Sequence, residues 1–181
     1  IKASSGGIRA TALGASEFNI QVSGNTGHLS DPGLLLPRKN MPVIRLSIDA
    51  GDLSVDSLVS KISQAFVEFD LSDYEDSALA FEWSGEFDYE LLKRFCDAVV
   101  VYIESDTARS GQPLYLLFDR DLAQSIGRIL TTEYQINRPL LVLDGLRFKD
   151  FEFVDLGRIR LPSRTVPVTV KSLIFQSHGM S

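Results

Sequence analysis

Phe151–Phe175, FEFVDLGRIRLPSRTVPVTVKSLIF, reads as two apolar strands, Phe151–Leu156 and Val166–Phe175, joined by a turn rich in Arg, Pro and Ser. Val166, Val168 and Val170 alternate onto one face, and Leu173, Ile174 and Phe175 continue as an apolar run. Such a β-rich segment at the end of a chain completes a sheet rather than standing apart from it.

Working back from this hairpin, residues 42–150 alternate strand and helix. Val43–Ile48 reads as a strand, and Ser54 caps a helix with Val55, Leu58, Val59, Ile62, Phe66 and Phe69 on its apolar face. Ala78–Trp83 is the next strand, and Asp88 caps a helix striped by Leu92, Phe95, Val99 and Ile103. Leu114–Phe118 and Leu140–Leu143 are uninterrupted apolar runs, the pattern of strands covered on both faces. Between them Asp119 or Asp121 opens a third helix through Leu122, Ile126, Ile129 and Leu130. Residues 1–41 read as a hairpin and loop entry, with strand-like runs Ile8–Leu13 and Phe18–Val22 and a short edge strand Leu34–Leu36 before Pro37. Residues 176–181 read as a tail. The expected fold class is α/β: a mixed, largely parallel sheet with helices on both faces and hairpins at the ends. Residues 1–181 form a single expected domain, and a start at Ile1 suggests a piece of a longer protein.

Composition narrows the function. Of 181 residues, 44% are hydrophobic and 23% charged, which is ordinary for a globular chain. A net charge of −6 speaks against nucleic acid as a partner, because phosphate binding wants a basic face. No run approaches the length of a membrane span. Cys96 is the single cysteine, inside an apolar helical pattern, so it reads as a buried structural thiol and suits a reducing cytoplasm.

The candidate chemistry is sparse. Asp119, Asp121 and Asp144 fall just beyond apolar strands, where open α/β sheets collect ligands, so they could line a Mg²⁺ or sugar-hydroxyl site. Equally, Asp119 or Asp121 could cap the third helix and Asp144 begin a turn with Gly145. Glu68, Asp70, Asp73, Glu75 and Asp76 form an acidic run without calcium-loop spacing, which reads as a solvated linker. His28 and His178 stand in no nucleophile context. Gly14-Ala15-Ser16 and Ser23-Gly24-Asn25-Thr26 read as two small-residue turns whose exposed amides could cradle phosphate or simply reverse the chain. Trp83, Phe87 and Tyr89 cluster at a strand-to-helix junction, either as core or as an aromatic anchor for a partner.

Several stretches in fixed order give the chain a family likeness: Ile8–Ala15, Gln21–Thr26, Leu36–Val43, Pro113–Phe118 with Asp121 and Gly127, Arg138–Asp144, Val154–Gly157 and Val166–Phe175. Together they resemble the carboxyl-terminal part of the reactivating factor of ethanolamine ammonia-lyase, an ethanolamine-utilisation chaperone similar to actin/Hsp70-type ATPases. The resemblance implies a cytoplasmic factor that uses ATP and Mg to expel inactive cobalamin from the lyase, its protein partner. It places Gly14, Ala15, Ser16, Ser23 and Gly24 near the nucleotide. The chain holds none of the glycine-rich, Asp-led phosphate loops such an ATPase needs, so it should not hydrolyse ATP alone. Two other readings stand beside this one: a stand-alone α/β enzyme with its carboxylates at the strand ends, and a non-catalytic interaction module.

Overall fold

A computed structural model describes residues 16–71, 76–105 and 111–174. The strands are β1 (Ser16–Leu29), β2 (Arg38–Asp49), β3 (Ala78–Ser84), β4 (Leu114–Phe118), β5 (Leu140–Asp144), β6 (Phe153–Leu156) and β7 (Thr165–Ile174). The helices are α1 (Pro32–Leu35), α2 (Val55–Glu68), α3 (Tyr89–Ser105) and α4 (Ala123–Arg128), the last running into a wider π-helical turn over Ile129–Glu133. The strands close into a barrel in the order β1-β5-β4-β3-β2-β6-β7. β2 to β5 run parallel, and β1, β6 and β7 join them antiparallel.

This corrects the expected α/β sheet with helices on both faces. The parallel strands are indeed covered twice, and β4 and β5 are buried at every position. Only one cover is helical. Ile44, Leu46, Leu79, Phe81, Leu116, Phe118 and Val142 face α2, α3 and α4. Met41, Val43, Ala78, Ala80, Tyr115, Leu117, Leu141 and Leu143 face the barrel interior, against Val154, Leu156, Val166, Val168 and Val170 of β6 and β7. An apolar run reports that both faces are dry and is silent about what dries them. The closing hairpin does not extend an edge; it curls over the sheet and removes the edges.

Both ends of the barrel are stoppered. At the amino ends of the parallel strands sits α1, capped by the Asp31 carboxylate, which accepts from the Gly33 and Leu34 N–H groups at 3.0 and 3.2 Å. α1 replaces the expected edge strand over Leu34–Leu36, and its Leu35 carbonyl accepts the buried Tyr115 hydroxyl at 2.9 Å. At the carboxyl ends, Leu146 and Phe148 of the loop after β5 enter the interior core. The Leu146 N–H donates to the Phe118 carbonyl at 2.9 Å, so this stopper hangs from β4.

The outer core centres on aromatic rings. Phe81 meets Phe95 edge-on at 4.9 Å and stacks on Phe118 at 5.4 Å, and Trp83 packs on Phe95 at 5.8 Å. Of the aromatic cluster read at this junction only Trp83, 4% exposed, is core; Phe87 lies at the edge under the Arg120 guanidinium, and Tyr89 is exposed. Cys96 is fully buried beside it, and burial, with the Asp97 and Glu133 carboxylates, pushes its thiol well above the ordinary range. The caps read from sequence are present: Ser54 Oγ accepts from the Ser57 N–H and Asp88 Oδ1 from the Leu91 N–H.

Two features close the barrel. The first is a seam joining β2, β6 and β7. Asn40 stands at an irregularity of β2 with φ of 54°, and the Asp155 carboxylate accepts its N–H at 2.8 Å and the Lys171 ammonium at 2.7 Å. Lys171 also donates to the Asn40 side-chain oxygen at 2.9 Å. The second is the contact of α4 with β1. A Cβ on Gly27 would lie 2.1 Å from the Ala123 carbonyl carbon, and one on Gly127 would lie 2.5 Å from the His28 Cβ. Gly27 is also where the β1–β5 register shifts.

Gly127→Ala therefore separates two effects. Helix propensity alone favours Ala by about 1 kcal/mol, whereas the contact with His28 predicts a net loss of about 1–3 kcal/mol; urea denaturation reads the sign. Gly27→Ala, against backbone rather than a side chain, should cost more. At the seam, burial raises the Asp155 carboxyl, but the Lys171 hydrogen bond, the Asn40 N–H and the Lys171 and Lys39 charges outweigh it and hold it below the usual carboxylate value. Its stabilisation is thus present above that usual value and lost as pH falls through the lowered one. Asp155→Ala should cost about 1–3 kcal/mol at neutral pH, and the difference from the parent chain should shrink under acid.

Candidate functional site

The carboxyl ends of the parallel strands carry the carboxylates singled out in the sequence, and the fold separates them. Asp119 is 4% exposed in its side chain; its Oδ1 accepts the Trp83 N–H at 3.0 Å, and its Oδ2 lies 3.8 Å from the Arg147 guanidinium of the stopper loop. It ties β4 to β3 and to the loop. Asp144, 5% exposed, turns the other way, to the helical face, where its Oδ2 accepts the Ala123 N–H at 3.3 Å. Asn25 stands opposite it on β1, and Asp121 is a neighbouring carboxylate.

The helix opening differs from the expectation accordingly. Neither Asp119 nor Asp121 caps α4; Leu122 occupies the cap position without a side-chain bond, and Asp144 reaches across from β5 to accept the first helical N–H. A strand-end carboxylate can perform this role only because β5 and α4 are adjacent in space, which spacing along the chain does not reveal.

Chemically the notable group is the Asp144 carboxyl. Burial raises the Asp144 carboxyl above its ordinary value, partly opposed by the Ala123 N–H; the neighbouring Asp121 raises it further and Asn25 opposes it. Among the described residues no three His, Cys, Asp or Glu side chains converge to hold a metal ion. Asp121 and Asp144 meet; Asp119 does not join them.

The phosphate-cradle candidates lie along β1. Gly14 and Ala15 fall outside the described residues, and Ser16 is the first residue of β1, paired with Ile174. Ser23-Gly24-Asn25-Thr26 is not a turn. It lies within the 14-residue strand Ser16–Leu29, with Ser23 opposite Pro167 and Gly24 opposite Val166. Gly24 faces the interior, where a Cβ would lie 3.1 Å from Leu143 and 3.2 Å from Leu146. Its small size makes room for the stopper. Ser23 is exposed.

The other sequence candidates resolve as follows. His178, Asp73 and Glu75 lie outside the described residues. Asp76 is no solvated linker residue: it pairs with the Arg38 guanidinium at 3.0 Å. His28 packs against Gly127, and burial followed by the Arg164 charge lowers its imidazole below the ordinary value. Sequence reasoning passed over Glu152, a carboxylate 6% exposed. It accepts the Lys149 N–H at 2.7 Å and the Ser172 hydroxyl at 2.6 Å, and so anchors the stopper loop to β7. The available signal was an acid set between two phenylalanines in a strand-like run.

The raised Asp144 carboxyl has a definite sign in stability. The folded chain holds this proton more tightly than the unfolded chain, so its contribution is complete below the usual carboxylate value and declines as pH rises through the raised one. Asp144→Asn keeps an acceptor for the Ala123 N–H and removes the titration. Denaturant midpoints measured across the acid range should show the variant gaining on the parent chain as pH rises, opposite in sense to Asp155→Ala.

With this geometry in view, comparison with known proteins is direct. The family profile described as "Ethanolamine utilisation protein EutA" matches residues 1–176. The protein "Ethanolamine ammonia-lyase reactivase EutA" of Escherichia coli (strain K12) is 31% identical over 171 residues, covering 94% of this chain and 34% of the relative. Its counterpart of the same description in Salmonella typhimurium is 29% identical over 171 residues, with the same coverage. The chain thus spans about a third of the length of the curated relatives it matches. No solved structure gives a significant match. No helix among the described residues is long and apolar enough to cross a membrane. A profile match across nearly every residue, with two relatives collinear over 94% of the chain, places it in the ethanolamine utilisation protein EutA family.

Proposed function

We propose that this chain is the carboxyl-terminal part of a chaperone-like factor that restores activity to ethanolamine ammonia-lyase. The observation that carries this reading is the match over 94% of the chain to proteins described as reactivases of that enzyme. The fold agrees with a part that acts on a protein rather than on a bound substrate. The strand ends where an α/β sheet would take a small molecule are stoppered by Leu146 and Phe148, and Asp119 and Asp144 are committed to structural hydrogen bonds. That favours it over a stand-alone enzyme working through those carboxylates.

In this reading the longer protein binds ATP and Mg and uses them to release inactive cobalamin from the lyase in the cytoplasm, its work being to shift the partner between states. Bound ATP would supply the free energy for that shift. Nucleotide would approach along the start of β1, at Gly14, Ala15, Ser16, Ser23 and Gly24. Of this set, Ser23 is exposed and Gly24 is packed under the stopper. These do not build a phosphate cradle, and no phosphoryl-transfer step is assigned to them.

The test is recovery of lyase activity. Lyase inactivated with hydroxocobalamin is incubated with the full-length protein containing this chain, ATP, Mg²⁺ and fresh adenosylcobalamin. Activity should return, and only with nucleotide present. No recovery removes the lyase assignment, while nucleotide-independent capture of lyase subunits without recovery points to the interaction module.

A further inference from the structure

The chain turns from β6 into β7 through residues 157–164, GRIRLPSR. In a chain of net charge −6, this short stretch carries Arg158, Arg160 and Arg164 and no carboxylate. β6 runs antiparallel to β2 with Leu156 opposite Arg38, so the turn continues past the amino end of β2.

The turn is fastened at several points. The Gly157 N–H donates to the Pro167 carbonyl and the Arg160 N–H to the Thr165 carbonyl, both at 2.8 Å. The Arg164 carbonyl accepts the Thr26 N–H at 3.1 Å, which ties the turn to β1. Ile159 packs on the interior core and leaves Arg158 and Arg160, on either side of it, exposed.

The charge it presents is unspent. None of the three guanidinium groups has an ion-pair or hydrogen-bond partner among the described residues. At this end of the barrel Asp155 is engaged with Lys171 at 2.7 Å, Asp76 with Arg38 at 3.0 Å, and Asp31 with the first N–H groups of α1. Among the arginines stands Leu161, 76% exposed. A lone exposed leucine is ordinary. One set among unpaired arginines joins an apolar contact to charge that a partner can neutralise.

These features favour an acidic protein surface over other anions. All three cations are arginines, whose planar fork engages carboxylates bidentately and sheds water more readily than an ammonium. They are spread along the turn, which suits separate carboxylates on a surface and requires no convergence on one atom. The net charge of −6 opposes extended polyanions such as nucleic acid or an acidic membrane.

Resting on the function proposed above, we propose that the 157–164 turn docks on an acidic patch of ethanolamine ammonia-lyase. Arg158, Arg160 and Arg164 pair with its carboxylates, and Leu161 packs on the apolar surface beside them.

The test measures binding of the full-length protein containing this chain to immobilised lyase across a salt series. The parent should bind with an affinity that falls as ionic strength rises. Arg158→Gln, Arg160→Gln and Arg164→Gln combined should weaken binding at least about tenfold at low salt and flatten the salt dependence. Leu161→Ala should weaken it about threefold and leave the salt dependence as it was. All four side chains are exposed, so the variants should keep the parent's denaturation midpoint. Lys61→Gln with Lys149→Gln, exposed cations elsewhere on the chain, should leave binding within about twofold, which separates local from overall charge. Reactivation by the parent, with parent and triple variant binding the lyase equally, overturns this proposal alone; no reactivation and no binding by the parent overturn both readings. Loss of binding to phosphatidylserine vesicles in the triple variant, with lyase binding unchanged, replaces the protein surface by a membrane.

Discussion

The structure depends on how closely α4 lies on β1. Gly27 and Gly127 face each other's elements across a contact with no room for a methyl group on either side. Because α4 follows β4 and precedes β5, and β1 pairs with β5, this contact fixes the strand that closes the barrel against the strands that begin it. Close packing of this kind is unforgiving, since neither a backbone carbonyl nor a Cβ can swing aside. The register shift at Gly27 and the reach of Asp144 to the Ala123 N–H follow from the same approach.

From that closure follows the character of the molecule. The barrel has an interior core, three outer helices packed on one side and a stopper at each end. The residues where α/β chemistry is usually found have become fasteners: Asp119 joins β3, β4 and the stopper loop, and Asp144 joins β5 to α4. The loop before β6, which carries the exposed Phe151, is held by the buried Glu152 carboxylate.

Much of this was legible in the sequence, and the limits have physical reasons. β3, β4, β5, α2 and α3 follow from apolar period and from the caps Ser54 and Asp88, because these are local signals. The identity of the inner cover was not legible: Leu114–Phe118 is equally apolar whether helices or strands lie on its second face. The small residues Ser23 and Gly24 read as a turn because glycine usually marks one, yet here glycine serves side-chain clearance inside a strand. Asp144 as a helix cap, and Asn25 beside it, depend on neighbours far apart along the chain. The family likeness at Val154–Gly157 and Val166–Phe175, by contrast, includes the barrel seam, where Asp155 and Lys171 carry a structural duty.

The central claim, a barrel closed through β1, is tested most directly by nuclear Overhauser contacts in the labelled chain. The account predicts cross-strand contacts from β1 to both β7 and β5, together with contacts between the Gly27 α-protons and the backbone of Ala123 and Gln124. A β1 that contacts β7 but neither β5 nor α4 would mean an open sheet, and would contradict it.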